Sequence, residues 1–351
     1  MRILIAIIIA LILAAAGAWY VRRQPAEKAE APVSWPEIRG YAKMVIPPDN
    51  PMTRAKVELG RQLYYDTRMS GDGSRSCYSC HLAEHGLTDG RPLAVGAYEF
   101  QLPRRSPVLW NIGYHSEFYW DGRSPLLEKQ GMAAWTGGNM GVSGKDGRPS
   151  TADICAKFVA VEGYRQQFSD VFGAEGCTPE NAMKAVAAFE RTIVTTTENS
   201  PWIRFREGDE SALSVAARRG YDVFTSKAKC TNCHDGLLLT DLQFHNAGIG
   251  MKAKTPDVGR FKVSNVEKDT GAFKTPTLLD ISKSAPYFHD GSVKTLEEAV
   301  DLMLAGGLKN KYLDTVNLKP VKLTKEDRAD LLAFLRALDV DYTVATPTLP
   351  Q

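Results

Sequence analysis

Cys77-Tyr78-Ser79-Cys80-His81 and Cys230-Thr231-Asn232-Cys233-His234 are the two places where this sequence sets a pair of thiols and an imidazole at a fixed, short spacing. In C-x-x-C-H the two thiols can bond covalently to the vinyl groups of a haem while the adjacent histidine is held where its imidazole binds the iron. One such run alone is equally open to zinc or thiol redox chemistry. Two in one chain read as two haem c sites, with His81 and His234 as the proximal ligands.

What each iron would do depends on its second axial position. An iron ligated on both faces passes electrons, whereas an iron with an open face can bind and reduce a small molecule such as peroxide. The sequence has six histidines, so beyond the two motif histidines only His85, His115, His245 and His289 remain. His85 follows His81 too closely to reach the opposite face of the same macrocycle. Two further cysteines, Cys155 and Cys177, lie outside both motifs and form either a disulfide or a pair of buried thiols.

The elements that must carry these residues are mainly helical. Before the first motif, Val57, Leu59, Leu63 and Tyr64 fall near one helical face within residues 55–66. Leu213, Ala217, Tyr221 and Phe224 do the same before the second, within residues 213–224. The chain therefore looks duplicated, as two cytochrome c-like halves. Thr178-Pro179-Glu180 opens a further helix to about residue 195, with proline where its missing N–H costs nothing. Thr324 with Asp327 starts another over residues 326–338. Gly- and Pro-rich connections at 137–149 and 246–256 separate them, and no period-two alternation supports a large sheet.

At the N-terminus, residues 3–21 carry no charge and are followed by Arg22 and Arg23. At about 1.5 Å per residue this run approaches the roughly 30 Å hydrocarbon core, which predicts a membrane anchor. The small residues Ala14 to Ala18 equally resemble a cleavage site, which predicts a removed signal. Either reading exports the rest to the periplasm. The predicted organisation is 1–23 anchor or signal, 24–50 linker, 51–200 a first cytochrome c-like domain and 201–345 a second, each with one covalently bound haem. With 44% apolar and 24% charged residues, and 43 Lys and Arg against 41 Asp and Glu, the chain has a globular balance and no field that would grip nucleic acid.

Beyond the haem motifs, four more runs stand out: Phe118-Tyr119-Trp120-Asp121-Gly122-Arg123, Lys274-Thr275-Pro276-Thr277-Leu278, Ala285-Pro286-Tyr287-Phe288-His289-Asp290-Gly291 and Leu296-Glu297-Glu298-Ala299-Val300. With these the chain resembles the bacterial di-haem cytochrome c peroxidase family over roughly residues 51–340. That family includes a methylamine-utilisation branch that oxidises tryptophan in partner proteins. The resemblance implies that the haem at His234 is the electron-transfer haem, with Met303 as its second ligand, where the tryptophan-oxidising branch has tyrosine. It places His289 near the haem propionates and Trp120 between the two haems.

At the first haem many relatives carry a displaceable histidine where this chain has Ala97, which implies a peroxidatic site that is open without reductive activation. The runner-up ligands there are Tyr98, His115 and Met140. The family's peroxide-handling glutamine matches Gln130, but its glutamate falls at Asn139. An amide orients peroxide without serving as a carboxylate base, leaving Glu117 or Glu128 as substitutes. A family calcium site between the halves uses an asparagine where Arg105 stands. A cation cannot ligate calcium, so only backbone carbonyls and water could hold one.

The function the resemblance implies is a peroxidase that reduces hydrogen peroxide to water with electrons from a small cytochrome c or cupredoxin. It allows a homodimer, and its N-terminal segment would meet the membrane. Two alternatives stand beside it: an oxidase of tryptophan or tyrosine in a partner protein, suggested by Ala97, and a non-catalytic di-haem electron carrier, suggested by the missing glutamate.

Overall fold

Thr53 caps the first helix by accepting a hydrogen bond from the Lys56 backbone N–H, and the helix then buries Leu59, Leu63 and Tyr64 on one face. The computed structural model describes residues 34–342 and 346–351. Its helices in chain order are α1 (Arg54–Tyr65), α2 (Leu127–Thr136), α3 (Thr151–Val159), α4 (Glu162–Phe172), α5 (Pro179–Glu190), α6 (Pro201–Arg206), α7 (Val215–Asp222), α8 (Phe261–Ser264), α9 (Leu296–Leu304) and α10 (Lys325–Arg336). One antiparallel ladder, β1 (Phe244–His245) against β2 (Phe273–Lys274), is the sheet of the described residues, with Phe244 opposite Lys274. Everything described below belongs to one unit, Pro36–Gln351. No helix of the described residues is long and apolar enough to cross a membrane. The anchor or signal expected at 1–23 lies outside the described residues.

Two helix crossings are built alike. Gly60 of α1 lies against the Ala185 carbonyl and the Phe189 side chain of α5, so closely that a Cβ there would collide. Gly220 of α7 lies in the same way against the Asp330 carbonyl and Phe334 of α10. Glycine at these two points lets the backbones approach, with the Cβ of a phenylalanine one turn on lying beside each contact. Each crossing feeds a haem motif. After α7 the chain makes one π-helical turn, Val223–Lys227, before the 3-10 turn Cys230–Asn232; the first motif makes the matching 3-10 turn Tyr78–Cys80.

A second repeat positions the opposite side of each site. Phe118 pairs with Ser124 and Tyr287 with Val293 across equivalent tight hairpins. Tyr119 and Phe288 share a left-handed backbone (φ 69° and 66°), as do Gly122 and Gly291. The first hairpin leads into α2 and the second into α9, which starts on a capping box between Thr295 and Glu298. Cys155 and Cys177 are joined in a disulfide, with Cα atoms 5.5 Å apart. This fastens α3 to the residue before the α5 cap, and closing a loop of that length stabilises the fold by about 3 kcal/mol in the chain-entropy model.

Candidate haem sites

Each motif histidine is prepared in the same way. His81 Nδ1 lies 3.0 Å from the Leu87 carbonyl and His234 Nδ1 lies 3.0 Å from the Leu239 carbonyl. A carbonyl accepts only from an N–H, so Nδ1 carries the proton and Nε2 is left as the ligating atom. Burial lowers both pKa values, which keeps the imidazoles neutral as iron ligands must be. Cys77, Cys80, Cys230 and Cys233 are all unpaired thiols.

A cavity of about 750 Å³ is lined by Cys77, Cys80 and His81. A second, of about 570 Å³, is lined by Cys230, Cys233 and His234. Both volumes suit a large prosthetic group. Neither motif is gathered as a zinc site: among the described residues the one trio of metal-capable side chains close enough to share an ion is Cys233, Asp241 and His245, which includes neither motif histidine. Arg105 lines the first cavity and is 5% exposed, and its Nε has no hydrogen-bond partner. A buried cation with an unused donor beside the cavity suits the carboxylates of a haem. Donor set, cavity size and orphaned donor together fit the group.

The two hairpin-and-helix repeats make the cavities unequal. Leu296, Ala299, Val300 and Met303 follow helical spacing along α9 and all line the second cavity. Leu127, Gln130, Gly131 and Ala134 follow the same spacing along α2 and all line the first. Counting from the equivalent hairpins, Gln130 answers to Ala299 and Ala134 to Met303. The second cavity thus has a thioether where the first has a methyl group, and the first has an amide where the second has a methyl group.

Trp120 and His289 occupy equivalent hairpin positions and meet one another, with ring centroids 6.5 Å apart. Trp120 lines both cavities, His289 the second. The Trp120 indole N–H donates to the Arg105 carbonyl (3.0 Å), and the Arg105 N–H donates to the His289 carbonyl (3.0 Å). His289 is stacked on Phe273 at 3.5 Å, and burial pulls its pKa down to about 4.

Of the other candidates, Asn139 and Met140 line the first cavity together with Gln130. Ala97 is fully buried beside this segment, its N–H donating to the Asn139 carbonyl. Tyr98 does not line the cavity: it is 41% exposed, beneath the Arg148 guanidinium. His115 does not line it either, being half-buried with Nδ1 3.3 Å from Lys274 Nζ. His245 is clamped between Asp241 (2.9 Å) and Asp314 (2.6 Å); Asp241 leads in pushing its pKa up to about 11, so both nitrogens are engaged.

Glu117 pairs with Arg260 at 2.7 Å. Glu128 pairs with Arg191 at 2.7 Å and accepts from Asn50. Neither lines the cavity, so the substitutes expected for the missing glutamate are spent on structural ion pairs. A carboxyl that sequence reasoning missed does line it: Glu190, 7% exposed at the end of α5. Read as sequence, it is one more charged residue on an amphipathic helix, and only the crossing at Gly60 turns it inward.

Arg105, expected from the resemblance at the position of a calcium-ligating asparagine, donates to the Ser284 carbonyl (2.5 Å) and Thr88 Oγ1 (3.2 Å), so a guanidinium supplies positive charge at this point.

Paired helix crossings, each leading into a C-x-x-C-H turn beside its own large cavity, define a mainly helical protein of the duplicated cytochrome type. The chain belongs to the di-haem cytochrome c peroxidase family, whose model matches residues 54–211, and it is an oxidoreductase. It is 34% identical to the cytochrome-c peroxidase IdrP1 of Denitromonas iodatirespirans, covering 90% of this chain and 89% of that one. It is 38% identical to the methylamine utilization protein MauG of Methylorubrum extorquens, over 87% of this chain and 83% of that one. Among solved structures it is similar to a MauG-like protein associated with microbial copper homeostasis, at 32% identity and a TM-score of 0.80, covering 88% of this chain and 96% of that one.

Proposed function

We propose that this chain is a periplasmic di-haem peroxidase that reduces hydrogen peroxide to water with electrons from a small cytochrome c or cupredoxin. Haem c would be attached covalently at Cys77 and Cys80 and at Cys230 and Cys233, with His81 and His234 as proximal ligands. When bound, the haems supply one-electron redox chemistry and an axial position at which peroxide can coordinate. The single observation that carries the reading is the contrast between Ala134 and Met303: the first cavity has only a methyl group at the helical position from which the second presents a thioether.

The chain's own residues divide the remaining work. Met303 would ligate the second iron and stabilise its reduced state. Gln130, on the cavity face of α2, would orient peroxide through its amide, with Asn139 as a second amide lining the same cavity. Trp120 would shorten the path between the two sites, since it lines both. The disulfide between Cys155 and Cys177 supports an oxidising compartment. The two halves, 51–200 and 201–345, would each carry one haem.

A second reading, oxidation of tryptophan or tyrosine in a partner protein, is favoured by Ala97 and by the 38% identity to MauG. Redox-poised spectra of the holoprotein with and without peroxide, alongside turnover of a reduced small cytochrome, separate the readings. Peroxidase action requires a spectral response at one iron and rapid oxidation of the cytochrome. A response with slow cytochrome turnover favours the second reading. No response in either the oxidised or the half-reduced protein refutes both and leaves an electron carrier.

A further inference from the structure

The first cavity holds several titratable groups, and nearly all are committed. Asp121 is bound to Arg104 (2.7 Å) and Arg123 (2.9 Å), and Asp257 to Arg104 (2.6 Å). Both carboxyls are held below their usual pKa and carry no proton at neutral pH. Tyr119 donates its hydroxyl to the Gln130 carbonyl (3.1 Å). Glu190 differs from all of these: among the described residues its carboxyl makes no hydrogen bond and no ion pair. The neighbouring Arg191 guanidinium, which could neutralise it, is turned to Glu128.

The internal repeat makes this carboxyl anomalous. Gly60 meets the carbonyl of Ala185 and the Cβ of Phe189, while Gly220 meets the carbonyl of Asp330 and the Cβ of Phe334. In that register Val186 answers to Leu331 and Glu190 to Leu335, and all four line their respective cavities. The position is therefore one that the same architecture fills with leucine. A buried, unpaired carboxyl costs several kcal/mol of desolvation unless it stays neutral. Such a group at a leucine position, beside the cavity whose family glutamate is replaced by Asn139, calls for a functional account.

We infer that Glu190 is the proton-transfer group of the first haem cavity, acting on peroxide in place of the absent glutamate. The inference rests on the peroxidase reading above. As the O–O bond breaks, both bonding electrons go to the departing oxygen, which leaves as water with the proton of Glu190. The resulting carboxylate takes the proton of the retained oxygen. Two electrons from the redox-protein donor and two protons from solvent turn that oxygen into the second water. The sum is H2O2, two electrons and two protons giving two waters, with Glu190 restored. Burial pushes its pKa up to about 8, opposed by Arg191, which caps the same helix, and aided by Glu128 of α2. Tyr64 of α1 and Cys77 also face it, both neutral at pH 7 because their own pKa values are raised. It is therefore protonated at neutral pH, as the first step needs.

Glu190→Gln and Glu190→Leu in the haem-loaded protein test this, the second because the equivalent site already accommodates leucine. Both are expected to fold, to keep the resting spectra of both haems, and to lose about 10²- to 10⁴-fold in peroxide-dependent oxidation of the reduced donor. Independently of turnover, the rate of cyanide binding to the resting protein should show a break near pH 8 that both variants lack. Infrared difference spectra across that pH should lose a protonated-carboxyl band. Wild-type turnover and an unchanged cyanide profile in either variant would overturn the inference while leaving the peroxidase reading intact. Absence of peroxide reactivity in the wild-type protein would instead refute that reading, and the cyanide and infrared profiles would still report whether Glu190 holds the proton.

Discussion

Met303 lies in the last turn of α9, on the face that also carries Leu296, Ala299 and Val300 toward the second cavity. A thioether ligand favours ferrous iron, so Met303→Ala should abolish the methionine-to-iron signature in the oxidised spectrum. It should also lower one haem potential by on the order of 0.1 V, within the roughly 0.8 V that axial ligands span; an unaltered spectrum would remove Met303 as a ligand. Lys274 makes a different demand. It is buried, donates to the Glu117 carbonyl and faces the His115 imidazole, and burial lowers its pKa to about 8. Because the unfolded chain keeps its proton to higher pH, the burial penalty is full below about pH 8 and is relieved as pH rises toward the unfolded value near 10.5. That window corresponds to roughly 3 kcal/mol. Denaturant unfolding of wild type against Lys274→Met should show the variant gaining below pH 8 and the difference shrinking by pH 10.5; a pH-independent difference would contradict the assignment.

The helices that carry the sites were largely legible, because their apolar spacing and caps are local signals. The helix expected at 55–66 is α1 at Arg54–Tyr65, and that expected at 326–338 is α10 at Lys325–Arg336. The second motif's leading helix is less regular than its apolar spacing suggests, since the chain changes to a π turn at Val223. What stayed hidden was the register between the two halves. Phe118 to Ala134 and Tyr287 to Met303 share a hairpin and a helix, but their side chains differ where function differs, so the repeat emerges from backbone φ values and pairings. That register makes a strong prediction. Ala134→Met should place a thioether at the first iron from the same turn of the same helix that carries Met303. The expected result is a second methionine-to-iron signature together with loss of the response to peroxide. If peroxide still reacts and the spectrum is unchanged, α2 and α9 do not present their last turns equivalently.

Across the whole molecule, the hairpin that carries Trp120 and the hairpin that carries His289 meet at these two rings, and Arg105 joins them. Its backbone accepts from Trp120 and donates to His289, and its side chain joins Thr88, near the first motif, to Ser284, which lies after the second motif in the chain. Burial lowers its pKa to about 10, which still leaves it charged at neutral pH. In sequence the change from asparagine to arginine reads only as the loss of a calcium ligand. In the fold it is a gain, because a covalently tethered cation cannot dissociate. Chelation of calcium from the holoprotein should therefore leave its melting temperature, its haem spectra and the electron transfer between haems unchanged. Arg105→Asn removes the charge and leaves the buried Ser284 carbonyl without its donor, at a cost of about 1 to 3 kcal/mol. That variant's melting temperature should rise with added calcium as the wild type's does not. Destabilisation of the wild type by chelator would show that a calcium ion, and not the guanidinium, holds the two hairpins together.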